Sequence, residues 1–280
     1  MGIRRILVHL EYGEHLRARV ETAAALALAH DAHLVGLAPT GRVAAPADCT
    51  GAPVVPAYEN AATAVLLDQA QGCVDSFMRQ VQHLGVPFYE AKVAATDGGR
   101  ALASAARYCD LTVVTRGTPG EAAPSSELVQ DVLLHSGRPV LVLPPLGAHV
   151  RLAAHPVIVA GWNASREAAR AMHDALAFFR CASRVQIVAF NETEDRPSSP
   201  HDLPGADIAA WLSRHGVKAD FETANTARDV AQGLITYSQA MGADLLVVGG
   251  YGHSRLLESI LGGVTRTLLR NSPIPLLMSH

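Results

Sequence analysis

The chain has 280 residues, 49% of them hydrophobic and 18% charged, with a formal net charge of −3. That is a globular composition, long enough to bury its core without disulfide or metal staples, as one large domain or two of modest size. Lys and Arg form no extended run, so nucleic acid and anionic membrane surfaces are disfavoured as partners, and no apolar stretch reaches the ~20 residues of a membrane span.

The opening stretch MGIRRILVHLEYGEH puts charges before an apolar run too short for a secretory leader, with no small-residue cleavage site after it. Ile6 stands where the myristoylation pattern asks for Ser or Thr, and the expected location is the cytoplasm. Residues 4–29 read as a short apolar strand, a turn and a helix. The Ala/Pro/Gly-rich residues 40–60 read as a long loop. CDLTVVTRG and VLLHSGRPVLVLP follow, and PLGAHVRLAA, residues 145–154, reads as a linker.

The second half repeats this order. HPVIVAGWNASREAARAMHDALAFF, from His155, lines up with residues 4–29 and sets Tyr12 over Asn163. ADLLVVGGY lines up with CDLTVVTRG, Asp244 over Asp110, and TLLRNSPIPLLMS with VLLHSGRPVLVLP, Pro275 over Pro139. Periodicity and caps predict strands over 157–160, 184–190, 218–223, 244–248 and 274–278, and helices over 165–180, 206–215, 229–241 and 263–271. The fold class is therefore α/β: two tandem doubly wound domains, each a five-stranded parallel sheet flanked by helices, with boundaries 1–146 and 155–280.

In this frame Gly249, Gly250 and Gly252 lie at the carboxyl end of a buried strand, and Gly262 and Gly263 open the next helix. That edge of an open α/β sheet is where ligands bind, and a glycine-bordered helix N-terminus suits a phosphate chain. The pattern is neither a Walker loop, which needs Gly-Lys-Ser/Thr, nor GxGxxG, because Arg255 takes the third glycine position.

The spacing Gly249-x2-Gly252-x9-Gly262, followed by GVTRTLLRNSPIPLL, resembles the nucleotide signature of the universal stress protein family, and VIVAGWNASREAARA is similar to that family's first strand and turn. The resemblance covers both halves and implies a tandem member with an adenine-nucleotide α/β hydrolase-like fold, its domains packed through their last strands. It implies ATP, with or without Mg2+, held by the C-terminal domain in an ATP-binding stress-response or regulatory protein. The phosphates would lie on Gly249, Gly252, His253, Arg255, Gly262, Gly263, Val264 and Thr265. The nucleoside would lie near Trp162, Asn163 and Phe190. The partners implied are the adenine nucleotide and the other half of the chain, with room for a homodimer.

The motif departs from the family pattern at two positions. Gly263 stands where Ser or Thr is usual, with Thr265 two positions on, and Asn163 stands where the family carries a turn aspartate. The first half departs further: Thr115 and Thr118 replace the two loop glycines, Ser126 and Glu127 stand over Gly262 and Gly263, and Tyr12 over Asn163. A carboxylate at the helix N-terminus repels phosphate, so the N-terminal site is expected to be degenerate.

Other chemistries find less support. His253 and Ser254 are sequence neighbours with no assignable acid, which argues against nucleophile and base. The thirteen histidines form no HxH or HExxH spacing, and the four cysteines no CxxC. No HxGH or SGGxD signature follows either first strand, and no Walker B or kinase-type acid accompanies the glycines, so at most slow ATP hydrolysis is expected. The competing reading is a non-nucleotide-binding interaction or assembly module of the same fold.

Overall fold

Leucine- and valine-rich runs that are apolar on both faces demand cover on both sides, and here they become the inner strands of a single sheet. A computed structural model describes residues 2–41, 55–117, 126–145, 154–190, 205–226, 229–251 and 263–280. The first half runs β1 (Arg5–His9), α1 (His15–His30), β2 (His33–Pro39), α2 (Val55–His83), β3 (Tyr89–Ala94), α3 (Gly98–Ala106), β4 (Leu111–Thr115), α4 (Ser126–Ser136) and β5 (Val140–Leu143). The second half repeats it: β6 (Val157–Gly161), α5 (Arg166–Asp174), α6 (Leu176–Phe179), β7 (Arg184–Phe190), α7 (Ala206–Arg214), β8 (Asp220–Ala224), α8 (Val230–Ala240), β9 (Leu245–Gly249), α9 (Gly263–Asn271) and β10 (Leu276–Ser279).

The strand order is β3-β2-β1-β4-β5-β10-β9-β6-β7-β8. Pairing is parallel within each half and antiparallel only at β5–β10, where Leu276 faces Val142, Leu277 faces Leu141 and Met278 faces Val140. The two halves thus join through their last strands. Because each chain half starts in the middle of its sheet and turns outward both ways, a switch point opens between β1 and β4 and another between β6 and β9.

Alternation along the strands sorts the core into two layers. Ile6 and Val8 pack with Val20 of α1 and Phe77 of α2, and that layer continues through Leu141 and Leu277 into the second half. Leu7 packs with Leu102 of α3 and Val132 of α4, and that layer continues through Val142 and Met278. At the sheet margins β3 and β8 are partly exposed, whereas β4 is buried throughout.

The duplicated aspartates have the same task. Asp110 Oδ2 accepts from the backbone N–H groups of Arg4 and Arg5 at 2.8 and 3.0 Å, and Asp244 Oδ2 accepts from Val157 N at 2.9 Å. Each carboxylate pins the start of its half's first strand.

Three expectations are revised. Residues 55–60, read as loop, form the first turns of α2, consistent with the alanine content that continues along that helix. The single helix expected over 165–180 is divided at Ala175, whose ψ relaxes to −5° although its N–H still reaches Ala171 O. The alignment of Tyr12 with Asn163 is off by one: Ile6 pairs with Leu111 as Ile158 pairs with Leu245, which sets His9 level with Gly161, Leu10 with Trp162 and Glu11 with Asn163. The first half regains step only at its helix, because its strand-to-helix turn is one residue longer. No helix among the described residues is long and apolar enough to cross a membrane.

Replacing Asp244 by Ala removes a charged acceptor from a strand N–H and is expected to lower unfolding stability by about 1–3 kcal/mol, read from urea denaturation.

Candidate functional site

A cavity of about 200 Å3 opens at the β6–β9 switch point. One wall is apolar: Trp162 after β6, Val188 and Phe190 of β7, and Val230 and Leu234 of α8. The Phe190 ring stands edge-on to Tyr237, and Gly233 gives it room, since a Cβ there would lie 3.1 Å from the ring. The other wall is polar, built from Asn163 and Ser165 before α5, Glu167 within it, Gly249, Tyr251, and Gly263 to Thr265 of α9.

Two helix N-termini face this polar wall, and they differ. At α5 the donors are used locally: Asn163 Oδ1 accepts from Ser165 N at 3.1 Å, and Ser165 Oγ caps the helix by accepting from Ala168 N at 3.1 Å. The Glu167 carboxylate lies in the first turn, with Oε1 3.1 Å from Arg166 Nε and 3.0 Å from Nη2. Burial pushes its pKa up, but its own backbone N–H, the Arg166 guanidinium and the nearby His280 outweigh that and hold it below the ordinary value. At α9 the first turn carries no acid.

Gly249 controls how these parts fit. A Cβ on it would lie 2.5 Å from the backbone carbon of Glu167 and 2.6 Å from Ala168 N, so the end of α5 rests directly on the strand and only glycine is accommodated. Gly250 bonds through its N–H to Ser279 O, and its carbonyl accepts from His280 Nδ1 at 3.1 Å. A Cβ on Gly250 would meet Leu133 of α4 at 2.7 Å, which places this loop against the other half of the chain. Tyr251 has a left-handed φ of 61°, stabilised by its N–H donating to Thr265 Oγ1 at 3.2 Å, and burial pushes its phenol up to about 12 against the pull of Arg266.

The geometry therefore brings together Trp162, Asn163, Phe190, Gly249, Gly263, Val264 and Thr265 around one cavity. Gly252, His253, Arg255 and Gly262 lie outside the described residues. Sequence reasoning missed Glu167, Tyr251 and His280. The first-turn position of Glu167 was readable from the pattern, whereas the contacts of Tyr251 with Thr265 and His280 join residues distant in sequence and carry no local signal. Among the described residues no group of three or more His, Cys, Asp or Glu is placed to hold a metal.

Side chains stand where the first half would need space. His9 is level with Gly161 and only 3% exposed, and burial, helped by Arg19, holds its imidazole pKa well below the ordinary value. Thr115 and Arg116 stand at the positions of Gly249 and Gly250. Thr115 is buried, and the turn before α1 is one residue longer than the turn before α5. Behind it Arg19 is 1% exposed, with Nε and Nη1 lacking hydrogen-bond partners, and burial lowers its pKa to about 10.

In this α/β chain of two doubly wound halves, the glycine-bordered cavity lies at a switch point, the edge at which open α/β sheets place small ligands. Residues 157–280 match the model of the universal stress protein family. A universal stress protein of Synechocystis sp. is 28% identical over 93 residues, a stretch covering 33% of this chain and 31% of that relative. The fold of the whole chain is shared with a universal stress protein structure from Archaeoglobus fulgidus, with a TM-score of 0.74 at 13% identity over 98% of this chain and 97% of that one. A putative universal stress protein from Pseudomonas aeruginosa gives a TM-score of 0.61 at 14% identity, over 99% and 93%.

Burial pushes the Glu11 carboxyl from its ordinary 4.5 up to about 7 against the pull of Arg19. A raised carboxyl favours the folded state while protonated, and that contribution is lost as pH climbs through the window between those values. Wild type should therefore lose more stability than Glu11→Gln between about pH 5 and pH 8 in urea denaturation, with the variant the more stable of the two at the upper end.

Proposed function

We propose that the chain is a nucleotide-binding regulatory protein of the stress-response type, which holds one adenine nucleotide, ATP in the first instance, in its C-terminal half. The observation that carries this reading is the cavity at the β6–β9 switch point, which sets an aromatic and aliphatic wall opposite the acid-free N-terminus of α9. A nucleobase fits the slot between Trp162, Val188, Phe190 and Leu234, and a phosphate chain fits the backbone N–H groups at α9 beside Gly249 and Gly263, where no Cβ intrudes.

The chain's own residues divide the work. Thr265 Oγ1 already accepts from Tyr251 and keeps its hydroxyl proton for a phosphate oxygen, standing in for the hydroxyl that Gly263 lacks. Asn163 spends its carbonyl oxygen on the turn and would meet the nucleoside through its amide. Bound ATP supplies a polyanion whose charge falls on hydrolysis. Because Gly250 packs on Leu133, that change is felt by the other half. In the first half His9 and Thr115 fill the corresponding space, so one ligand per chain is the proposed stoichiometry.

The alternative is an interaction or assembly module of the same fold that binds no nucleotide. The observation favouring it is an acidic residue, Glu167, among those that line the cavity.

The deciding experiment denatures the purified protein and identifies any released nucleotide by chromatography and mass spectrometry, with a Gly249→Thr variant alongside. The expected outcome is about one adenine nucleotide per chain from wild type and none from the variant, whose side chain drives α5 off the strand. A wild-type protein that releases none, and takes up none on adding Mg-ATP, supports the interaction module.

A further inference from the structure

We propose that Glu167 makes nucleotide binding in the C-terminal half conditional on a divalent cation, its carboxylate and the phosphate chain holding the ion between them. The inference rests on the nucleotide reading above and concerns the charge the site tolerates.

The two helix ends at the cavity are unequal. The N-terminus of α5 is already satisfied, because Asn163, Ser165 and the Glu167 carboxylate take the donors of its first turn and the carboxylate places a full negative charge against the helix dipole. An anion gains nothing there. The N-terminus of α9 carries no acid and opens on the same cavity, so a phosphate chain seats at α9 and faces Glu167 across the polar wall.

Glu167 cannot withdraw. Its backbone lies under Gly249 at distances that leave no room for even a Cβ, and its side chain is about nine-tenths covered. Its charge persists, because its own backbone N–H, Arg166 and His280 favour the ionised form. Both Arg166 contacts fall on one oxygen, Oε1, and the Arg166 side chain is 69% exposed, so water screens its pull. A triphosphate entering alone therefore shares one partly enclosed cavity with a fixed carboxylate. A hard divalent cation reverses the sign of that encounter, since Mg2+ is commonly held by one or two carboxylates together with phosphate oxygens.

The test is titration of ATP into wild type, Glu167→Gln and Glu167→Ala by calorimetry, each with excess MgCl2 and again with EDTA, after thermal unfolding has confirmed that all three are folded. Wild type should bind at least about ten-fold more weakly in EDTA, and both variants should bind ATP in EDTA at least about ten-fold more tightly than wild type does, with little response to Mg2+. Wild-type affinity indifferent to EDTA overturns the proposal, as do variants that keep the full Mg2+ response. Binding by none of the three in either condition removes the nucleotide reading itself, a result distinct from both.

Discussion

Three facing residue pairs, Leu276 with Val142, Leu277 with Leu141 and Met278 with Val140, turn two five-stranded sheets into one. Everything else is arranged about that antiparallel seam. It removes the outer edge of each last strand from water, carries both hydrophobic layers from one half into the other, and relates the halves by an approximate two-fold rotation. The rotation sets α4 of the first half against the glycine loop of the second, which is why a Cβ on Gly250 would strike Leu133. The residues lining the candidate cavity all come from the second half, and the first half touches only the loop beside it, at Gly250.

Within this frame the difference between the halves comes down to how closely a helix end approaches a strand. Glycine at 249 lets α5 rest on β9 and form one side of a cavity. In the first half threonine stands at 115, the turn before α1 has one residue more, and His9 stands at the level where the other half has Gly161. A duplicated architecture persists while its chemistry diverges, because the seam and the hydrophobic layers depend on Leu, Ile and Val at alternating positions, and the cavity on a few small residues at strand ends.

Much of the fold was legible in the sequence, since buried parallel strands are continuous apolar runs and helix starts are marked by Ser165 and Asp229, whose side chains each accept from a first-turn N–H. The duplicated aspartates were visible as a match, but their role in pinning β1 and β6 was not, because the bond spans more than eighty residues. The one-residue slip between Glu11 and Tyr12 was hidden because sequence alignment kept the helices in step and only hydrogen-bond register reports the strands. In the site, the glycines announced themselves through spacing. Glu167 did not, because an acid in a helix's first turn is ordinarily a favourable partner of the dipole, and only the tertiary placement of α9 sets it in the lining of the same cavity.

The seam also decides what would happen to the C-terminal half if it were cut free. Residues 155–280 alone would present β10 as a bare edge, a row of unpaired N–H and C=O groups on the side that β5 covers, and Gly250 would lose the Leu133 contact. The surface best shaped to cover that edge is a second β10 in the same antiparallel sense. The covalent repeat supplies such a partner within one molecule, at an effective concentration that dilution cannot lower.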